Sequence, residues 1–373
     1  MIALRRGTVL SIDDIRVGAV ELTVDLEGDS ARALAYPDLT GPLGVGDSVI
    51  LNTTAVDLGL GTGGAHFVVF VESPDPLLLP GDGRIMKARY TPLQVAVETV
   101  EETHREQMEA SRGLGGTPVV AAPLHSMVAH VAAGAKVAGA SRVGYVMTDH
   151  AALPGALSRS VTQLKETGLL EGFITTGQAF GGDLEATSLW SGLIAAKEVL
   201  GADVIVVADG PGNVGTDTRW GTTALNSGHA LNAAERLGGR PVAALRVSFA
   251  DARERHRGVS HHSISILRDV CLVEANVAVP ALEGRERHDV WAALRQAGLE
   301  KRHRLVEVLG RPAIDALSGA GGEVTSMGRS FEDDPVYFLA AGSAGVLAGR
   351  MAARSQPYKD IAREAHSDQS PDG

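Results

Sequence analysis

The feature that most constrains this chain is an alternation, from residue 117 onward, between short apolar runs and helix-length amphipathic stretches. Such alternation is typical of βα units that build a parallel sheet. It predicts strands over residues 118–122, 142–148, 172–176, 203–208, 241–247, 270–277 and 303–308, and helices that include 155–166, 186–200 and 222–237. We therefore expect an α/β fold with a largely parallel, Rossmann-like sheet flanked by helices.

The first 72 residues have a different pattern, in which β-branched runs alternate with glycine-bearing turns. They predict a small all-β, barrel-like domain with strands at 7–10, 20–24, 31–35, 47–52 and 66–71. We interpret the glycine run 59–64 as a hairpin connection, because it lies between two predicted strands and not between a strand and a helix. A polar helix is predicted at 92–110, after a Pro- and Gly-rich stretch.

These patterns divide the chain into three parts. We expect a barrel-like domain at 1–80, a Rossmann-like domain at 81–355 and a polar, disordered tail at 356–373. The uncharged segment 336–349 is shorter than a membrane span and predicts a buried helix. The small and apolar side chains of residues 336–347 also lead us to expect a homodimer.

Composition limits the classes of partner. The chain has 34 Lys and Arg against 45 Asp and Glu, a net charge of −11 that repels nucleic acid and anionic membranes. The N-terminal domain has few aromatic or basic residues, which argues against a single-strand nucleic-acid binder of the OB type. The single cysteine, Cys271, falls inside a predicted strand, so no intrachain disulfide can form. With no export signal in the N-terminal residues, we expect a cytoplasmic protein.

Polar residues follow the predicted strands, and the carboxyl ends of parallel strands meet at one edge of a sheet. His125, Thr176 and Asp183 are in such positions, and the run 210–215 matches G-x-G-x-x-G after a strand. Pro211, the delayed helix and Thr216 in the place of a P-loop lysine argue against standard dinucleotide and P-loop sites. A backbone-amide nest for a phosphate or carboxylate and a plain tight turn both stay open. If the run forms an anion nest, the predicted ligand-binding residues are Thr176, Gly210, Gly212, Asn213, Gly215 and Thr216.

The segment 253–262 is the densest run of arginine and histidine in the chain. It predicts that Arg257 binds an anion and that His261 or His262 acts as a general base or ligates a divalent metal. His125 and Asp183 are further catalytic candidates. None of these residues has a diagnostic metal spacing, so the identity of any cofactor stays open. The alternative to a functional role for segment 253–262 is a solvated surface loop. There is no G-x-S-x-G motif to indicate a serine hydrolase.

Four runs in the chain are long and distinctive, namely 51–64, 180–185, 210–216 and 253–262. Through them the chain resembles a bacterial family of unknown function, DUF3866, over nearly its whole length. The resemblance implies no activity and supplies no catalytic residues.

Two functions from different classes remain. The first is an enzyme that acts on a small phosphorylated or carboxylated metabolite at the carboxyl edge of the sheet. The second is a non-catalytic module that senses a metabolite in the same pocket or binds a protein partner through the barrel. For both we expect a small anionic ligand, and neither nucleic acid nor a membrane as partner.

Overall fold

The structure, a computed structural model, describes residues 2–60, 63–72, 83–322 and 324–354. The predicted tail at 356–373 and most of the Pro- and Gly-rich stretch lie outside the described residues.

The N-terminal strands form a closed barrel in the order β1-β2-β3-β5-β4. The strands are β1 (Leu4–Arg16), β2 (Ala19–Leu26), β3 (Asp29–Ala35), β4 (Ser48–Asn52) and β5 (His66–Val71), with one-turn helices α1 (Pro37–Thr40) and α2 (Thr54–Asp57). Alternate side chains of β2, among them Leu22 and Val24, point into a small apolar core. The predicted N-terminal β-barrel is confirmed.

A hairpin and two short helices connect the barrel to the sheet. The hairpin consists of β6 (Ile85–Lys87) and β7 (Val95–Val97), and the helices are α3 (Val100–Thr103) and α4 (Arg105–Ala110). The helix predicted at 92–110 is therefore wrong in its first part, where Val95 to Val97 pair with β6. The helical part begins after Thr99, whose amide donates to Glu102 Oε2 at 3.2 Å.

The second half is built on eight parallel strands in the order β11-β10-β9-β12-β8-β13-β16-β17. The strands of the sheet are β8 (Pro118–Ala121), β9 (Val143–Thr148), β10 (Gly172–Thr176), β11 (Leu184–Ala186), β12 (Val204–Asp209), β13 (Arg240–Ala244), β16 (Asn276–Pro280) and β17 (Arg304–Val308). A separate ribbon joins β14 (Val247–Ser248) to β15 (Gly258–Val259). The predicted parallel α/β sheet is confirmed.

Helices cover both faces of this sheet. They are α5 (Val128–Val137), α6 (Arg159–Glu166), α7 (Leu189–Glu198), α8 (Asn226–Arg236), α9 (His261–Ser265), α10 (Gly284–Gln296), α11 (Arg311–Gly319) and α12 (Pro335–Ala353). One apolar core holds α5, α6, α11 and α12, and the other holds α7, α8 and α10. The neighbouring strands β8 and β12 therefore send the chain to opposite faces, which opens a crevice between the loops that follow them.

One predicted strand, 270–277, is wrong. Residues Ile266–Val270 form a π-helical turn, and the strand begins only at Asn276. Cys271 is buried in the connection and is not part of a strand, while Leu272 is 77% exposed. The apolar run is equally compatible with the end of a helix, because periodicity does not separate short strands from short buried helices.

Helix α12 completes the core. It is the one helix in the described ranges with the length and hydropathy of a membrane span, and 72% of that stretch is buried inside the protein. The predicted buried helix is confirmed over a longer range, Pro335–Ala353. Its apolar face packs on α5 and the sheet, so this helix no longer supports the homodimer, which stays a prediction.

Candidate functional site

A cavity of about 710 Å³ opens at the carboxyl edge of the sheet, in the crevice between the loops after β8 and β12. His125 comes from the first loop, and Gly212, Asn213 and Gly215 come from the second. Arg246 follows β13, the strand that lies on the other side of β8 from β12. Ligands of open α/β sheets bind at such a switch point, where loops and helix N-termini meet.

Arginine side chains dominate the charge of this cavity. Arg253 donates two hydrogen bonds to Asp251, at 2.9 Å to Oδ1 and 2.8 Å to Oδ2, and Arg246 Nη2 donates to the same carboxylate at 2.9 Å. These bonds, above all those from Arg253, hold the pKa of Asp251 well below its usual range. Arg329 is outside the cavity lining but shares the same carboxylates, at 3.7 Å from Asp251 and 3.3 Å from Asp334. Three cations therefore share two carboxylates, which leaves one positive charge to attract an anion.

The loop after β12 lines the cavity with Gly212, Asn213 and Gly215. The Asn213 side chain fixes it by donating to Asp209 Oδ2 at 3.0 Å and Thr223 Oγ1 at 3.2 Å. Gly212 has φ +93°, which glycine adopts without strain. Within the described residues, the amides of Gly212 and Asn213 donate no hydrogen bond, so they can bind an anion.

His125 lies beneath the cavity and is almost fully buried. Its Nδ1 is 3.1 Å from Tyr145 Oη and 3.3 Å from the Asp209 carbonyl, and its Nε2 is 2.6 Å from Ser158 Oγ. Burial lowers the pKa of His125 to about 4, so the ring is neutral at pH 7. Ser158 Oγ is 3.1 Å from Ser160 Oγ, and Ser160 lines the cavity. This series of hydrogen bonds connects a neutral imidazole to the space where a ligand would bind.

Three histidines form a cluster on another wall of the cavity. The ring centroids of His261 and His262 are 4.0 Å apart, and His256 lies 5.3 Å and 5.1 Å from them. Burial lowers the pKa of His256 to about 3 and that of His262 to about 4. Gly215 packs against the His262 ring, where a Cβ would be 2.8 Å from Cε1. The glycine therefore allows the loop and the ring to touch.

The structure brings together several residues that the sequence predicted for the site. His125, Gly212, Asn213, Gly215 and His262 line the cavity, and His261 contacts His262 beside it.

Two other predicted residues lie elsewhere on the sheet. Asp183 lies at the amino end of β10, where it forms an ion pair with Lys165 and accepts a hydrogen bond from the Phe173 amide at 2.9 Å. The reason is that β11 runs parallel to β10, so the connection must return to the opposite edge first. Thr176 lines a second cavity, of about 520 Å³, with His150 and Trp190.

Three further predicted residues are near the edge but outside the cavity lining. Arg257 is exposed to solvent. Thr216 is also exposed, and its hydroxyl is 2.8 Å from Thr218 Oγ1. Gly210 is buried below the loop, where a Cβ would be 2.5 Å from the Ala152 carbonyl oxygen. Close packing therefore explains why position 210 is a glycine.

The model of the DUF3866 family, described as a protein of unknown function, matches residues 32–345. The chain belongs to the DUF3866 family. The match includes every strand of the parallel sheet and every residue of the cavity described above. No curated protein sequence matches the chain.

Sequence reasoning missed several cavity residues of this DUF3866 protein, above all Arg246, Arg159 and Ser160. Arg246 had a usable signal, because it interrupts the apolar run 241–247 directly after a buried strand. Ser160 and Arg159 had none, since they belong to the first turn of an ordinary amphipathic helix. Only the packing of α6 beside the loop after β8 brings them to the cavity.

Proposed function

We propose that this DUF3866 protein is a cytoplasmic enzyme that acts on a small phosphorylated or carboxylated metabolite in the cavity between β8 and β12. The observation that carries the proposal is the combination, in one cavity, of surplus guanidinium charge with a neutral buried histidine. Charged binding groups next to an acid–base group at a sheet edge are typical of enzyme sites.

Arg246 and Arg253 would bind the anion. Guanidinium groups match carboxylate and phosphate oxygens with two parallel hydrogen bonds, and Asp251 already holds both arginines in place. The Arg246 side chain is only 9% exposed, so its charge is weakly screened by water. The amides of Gly212 and Asn213 would add two uncharged donors from the facing loop.

His125 would exchange protons with the ligand through Ser158 and Ser160. A proton on Nδ1, directed at the Asp209 carbonyl, leaves Nε2 to accept from the Ser158 hydroxyl. Ser158 Oγ can in turn accept from Ser160, whose hydroxyl faces the cavity. General acid–base groups commonly act by direct contact or through one water, and the route from His125 to the ligand has two intervening hydroxyls, those of Ser158 and Ser160.

One contact favours the second function, a metabolite-sensing module. Arg159 lines the cavity, and its Nε donates to Glu21 of the barrel at 2.9 Å, while its Nη2 lies 3.4 Å from Asp14. A ligand that draws Arg159 toward the cavity would weaken these contacts and could alter the barrel surface. Ligand binding without turnover is the result that this alternative predicts.

A ligand screen followed by an assay for turnover tests the proposal. Purified protein is heated with nucleotides, sugar phosphates and di- or tricarboxylates, and each compound that raises the melting temperature is then incubated with the protein and analysed for chemical change. A ligand at 100 times its Kd stabilises the folded state by about 2.7 kcal/mol. We expect stabilisation by one anion class, with product formation. Stabilisation without any product would favour the sensing module, and a complete lack of stabilisation would contradict both functions.

A further inference from the structure

His256, His261 and His262 offer a set of metal-binding atoms that neither the proposed function nor the family assigns. One ring nitrogen from each lies within 4.8 Å of the other two. In a tetrahedral zinc site the Zn–N distance of about 2.0–2.1 Å places two such nitrogens about 3.3 Å apart. Small rotations of the three rings would therefore close the cluster around one ion.

Two nitrogens of this cluster, one on His261 and one on His262, lack a hydrogen-bond partner among the described residues. Nε2 of His261 and Nε2 of His262 are buried and make no hydrogen bond within the part of the chain that the structure describes. A buried polar atom without a partner destabilises the fold, so two of them side by side need a compensating interaction. A bound cation would accept both lone pairs.

A hydroxyl group orients the third histidine. Nδ1 of His256 is 2.8 Å from Ser260 Oγ, which also caps helix α9 by accepting from the His262 amide at 3.3 Å. A proton on Nδ1 donated to this oxygen leaves the lone pair on Nε2. Metal-binding histidines usually have their second nitrogen fixed by such an outer hydrogen bond.

We propose that His256, His261 and His262 bind one divalent transition-metal ion of the zinc type, with a fourth position left for water or a ligand. Three imidazoles with an open position are a known arrangement for Zn²⁺, whereas Mg²⁺ and Ca²⁺ prefer oxygen ligands.

The charges around the cluster restrict the choice of metal. Arg246, Arg253 and Arg255 face the histidines, and their counter-charges are Asp251 and Asp217. This net positive surrounding opposes the binding of any divalent cation. Only a metal that neutral imidazole binds strongly, with an anion to complete its coordination, would overcome that repulsion. The cation site goes beyond the proposed function and would exist even if the cavity bound no metabolite.

Titration with Co²⁺ tests the site, because tetrahedral Co²⁺ absorbs visible light strongly and replaces Zn²⁺. The full chain is stripped of metal and titrated in a buffer free of phosphate and carboxylates, so that the result does not depend on anion binding. We expect one Co²⁺ per chain with a tetrahedral spectrum that Zn²⁺ abolishes. His261→Ala and His262→Ala should each weaken Co²⁺ binding at least about 100-fold, the upper end of the loss seen for outer-shell partners.

The matched control is His288→Ala, which removes an exposed histidine on α10 and should leave Co²⁺ affinity unchanged. Equal affinity in the wild type and in both cluster variants would overturn the site, as would the absence of a tetrahedral spectrum. If the variants do not fold, X-ray absorption of the zinc-loaded wild type decides. Three imidazole nitrogens at about 2.0–2.1 Å support the proposal, and fewer than three contradict it.

Discussion

At the scale of single residues, the basic segment shows what a sequence can and cannot reveal. Arg253, Arg255 and Arg257 look alike in the sequence, and the prediction chose Arg257. The structure points Arg253 at the cavity and leaves Arg257 in solvent, because a 3₁₀ turn at Glu254–His256 changes the direction of successive side chains. That turn has no clear sequence signal. Glycine and asparagine after β12 were easier to place, because they follow the strand directly.

Lys87 is a second residue whose role only the packing reveals. It has no solvent-exposed surface, donates to the carbonyls of Ala179 and Ala186 at 3.0 Å and 2.9 Å, and lies 3.4 Å from Glu185 Oε2. Burial lowers the pKa of Lys87 and raises that of Glu185, while their mutual attraction opposes both shifts. This pair fastens the β6–β7 hairpin to the edge of the sheet.

We predict that Lys87→Met lowers the free energy of unfolding by about 3–5 kcal/mol, because it leaves the Glu185 carboxylate buried without its partner. Urea denaturation measures the change, and the double variant Lys87→Met with Glu185→Gln should recover much of it. The control is Lys165→Met, whose ion pair with Asp183 is partly exposed and is expected to contribute about 0–1 kcal/mol. Equal losses of unfolding free energy in the Lys87 and Lys165 variants would show that the buried pair contributes no more to stability than the partly exposed pair.

At the scale of elements, long βα units were predictable and short elements were not. Strands such as Gly172–Thr176 agree with the prediction because an apolar, β-branched run between two turns has few other solutions. The three-residue strand Leu184–Ala186 was missed because its pairing with β10 is a tertiary contact. The helix predicted at 92–110 was wrong in part for the same reason, since Val95–Val97 gains its strand partner from β6.

The contact between α5 and α12 depends on glycines that place the two helix backbones against each other. A Cβ on Gly345 would overlap the Val131 carbonyl, and one on Gly349 would overlap the Ala135 carbonyl. We predict that Gly345→Ala lowers the free energy of unfolding by about 1–3 kcal/mol, because the helices must move apart.

Gly319→Ala is the matched control for this contact. It adds a methyl group at the end of α11, where nothing lies within 4 Å, and should be neutral or stabilising by up to about 1 kcal/mol. Thermal and urea denaturation measure both variants. A Gly345→Ala protein as stable as the wild type would contradict the close packing of the two helices.

At the scale of the whole molecule, the sequence predicted a parallel sheet and a site at its carboxyl edge, but not the strand order. The strand β12 lies between β9 and β8, although it follows β11 in the chain. That insertion makes the loops after β8 and β12 neighbours and brings His125 to Asn213. Strand order is decided by how helices pack on both faces, which no local pattern records.

The stability of the molecule should fall in mild acid. Burial lowers the pKa of His130 from 6.5 to about 4, and the ring packs on Phe338 in the core. The unfolded chain is therefore protonated at this residue below about pH 6.5 while the folded protein is not, so its contribution to stability is complete above that pH and is lost between about 6.5 and 4.

We predict that His130→Leu reduces the pH dependence of the free energy of unfolding in that window by about 1.4 kcal/mol per pH unit. Urea denaturation at a series of pH values measures the slope. The control is His288→Ala, because His288 is exposed on α10 and should leave the slope nearly unchanged. An identical slope in the wild type and in His130→Leu would show that His130 is not held neutral by the core.

The anion site between β8 and β12 is tested most directly by calorimetric titration of the best anion from the ligand screen against the wild type, Arg253→Ala and Arg257→Ala. Both variants remove one arginine from the same segment, but only Arg253 reaches the cavity. We predict that Arg253→Ala weakens binding by about 1.5–3 kcal/mol, the range for a charge-assisted hydrogen bond, and that Arg257→Ala changes it by less than about 0.5 kcal/mol. Equal affinities in all three proteins, or a larger loss with Arg257→Ala, would contradict an anion site in this cavity.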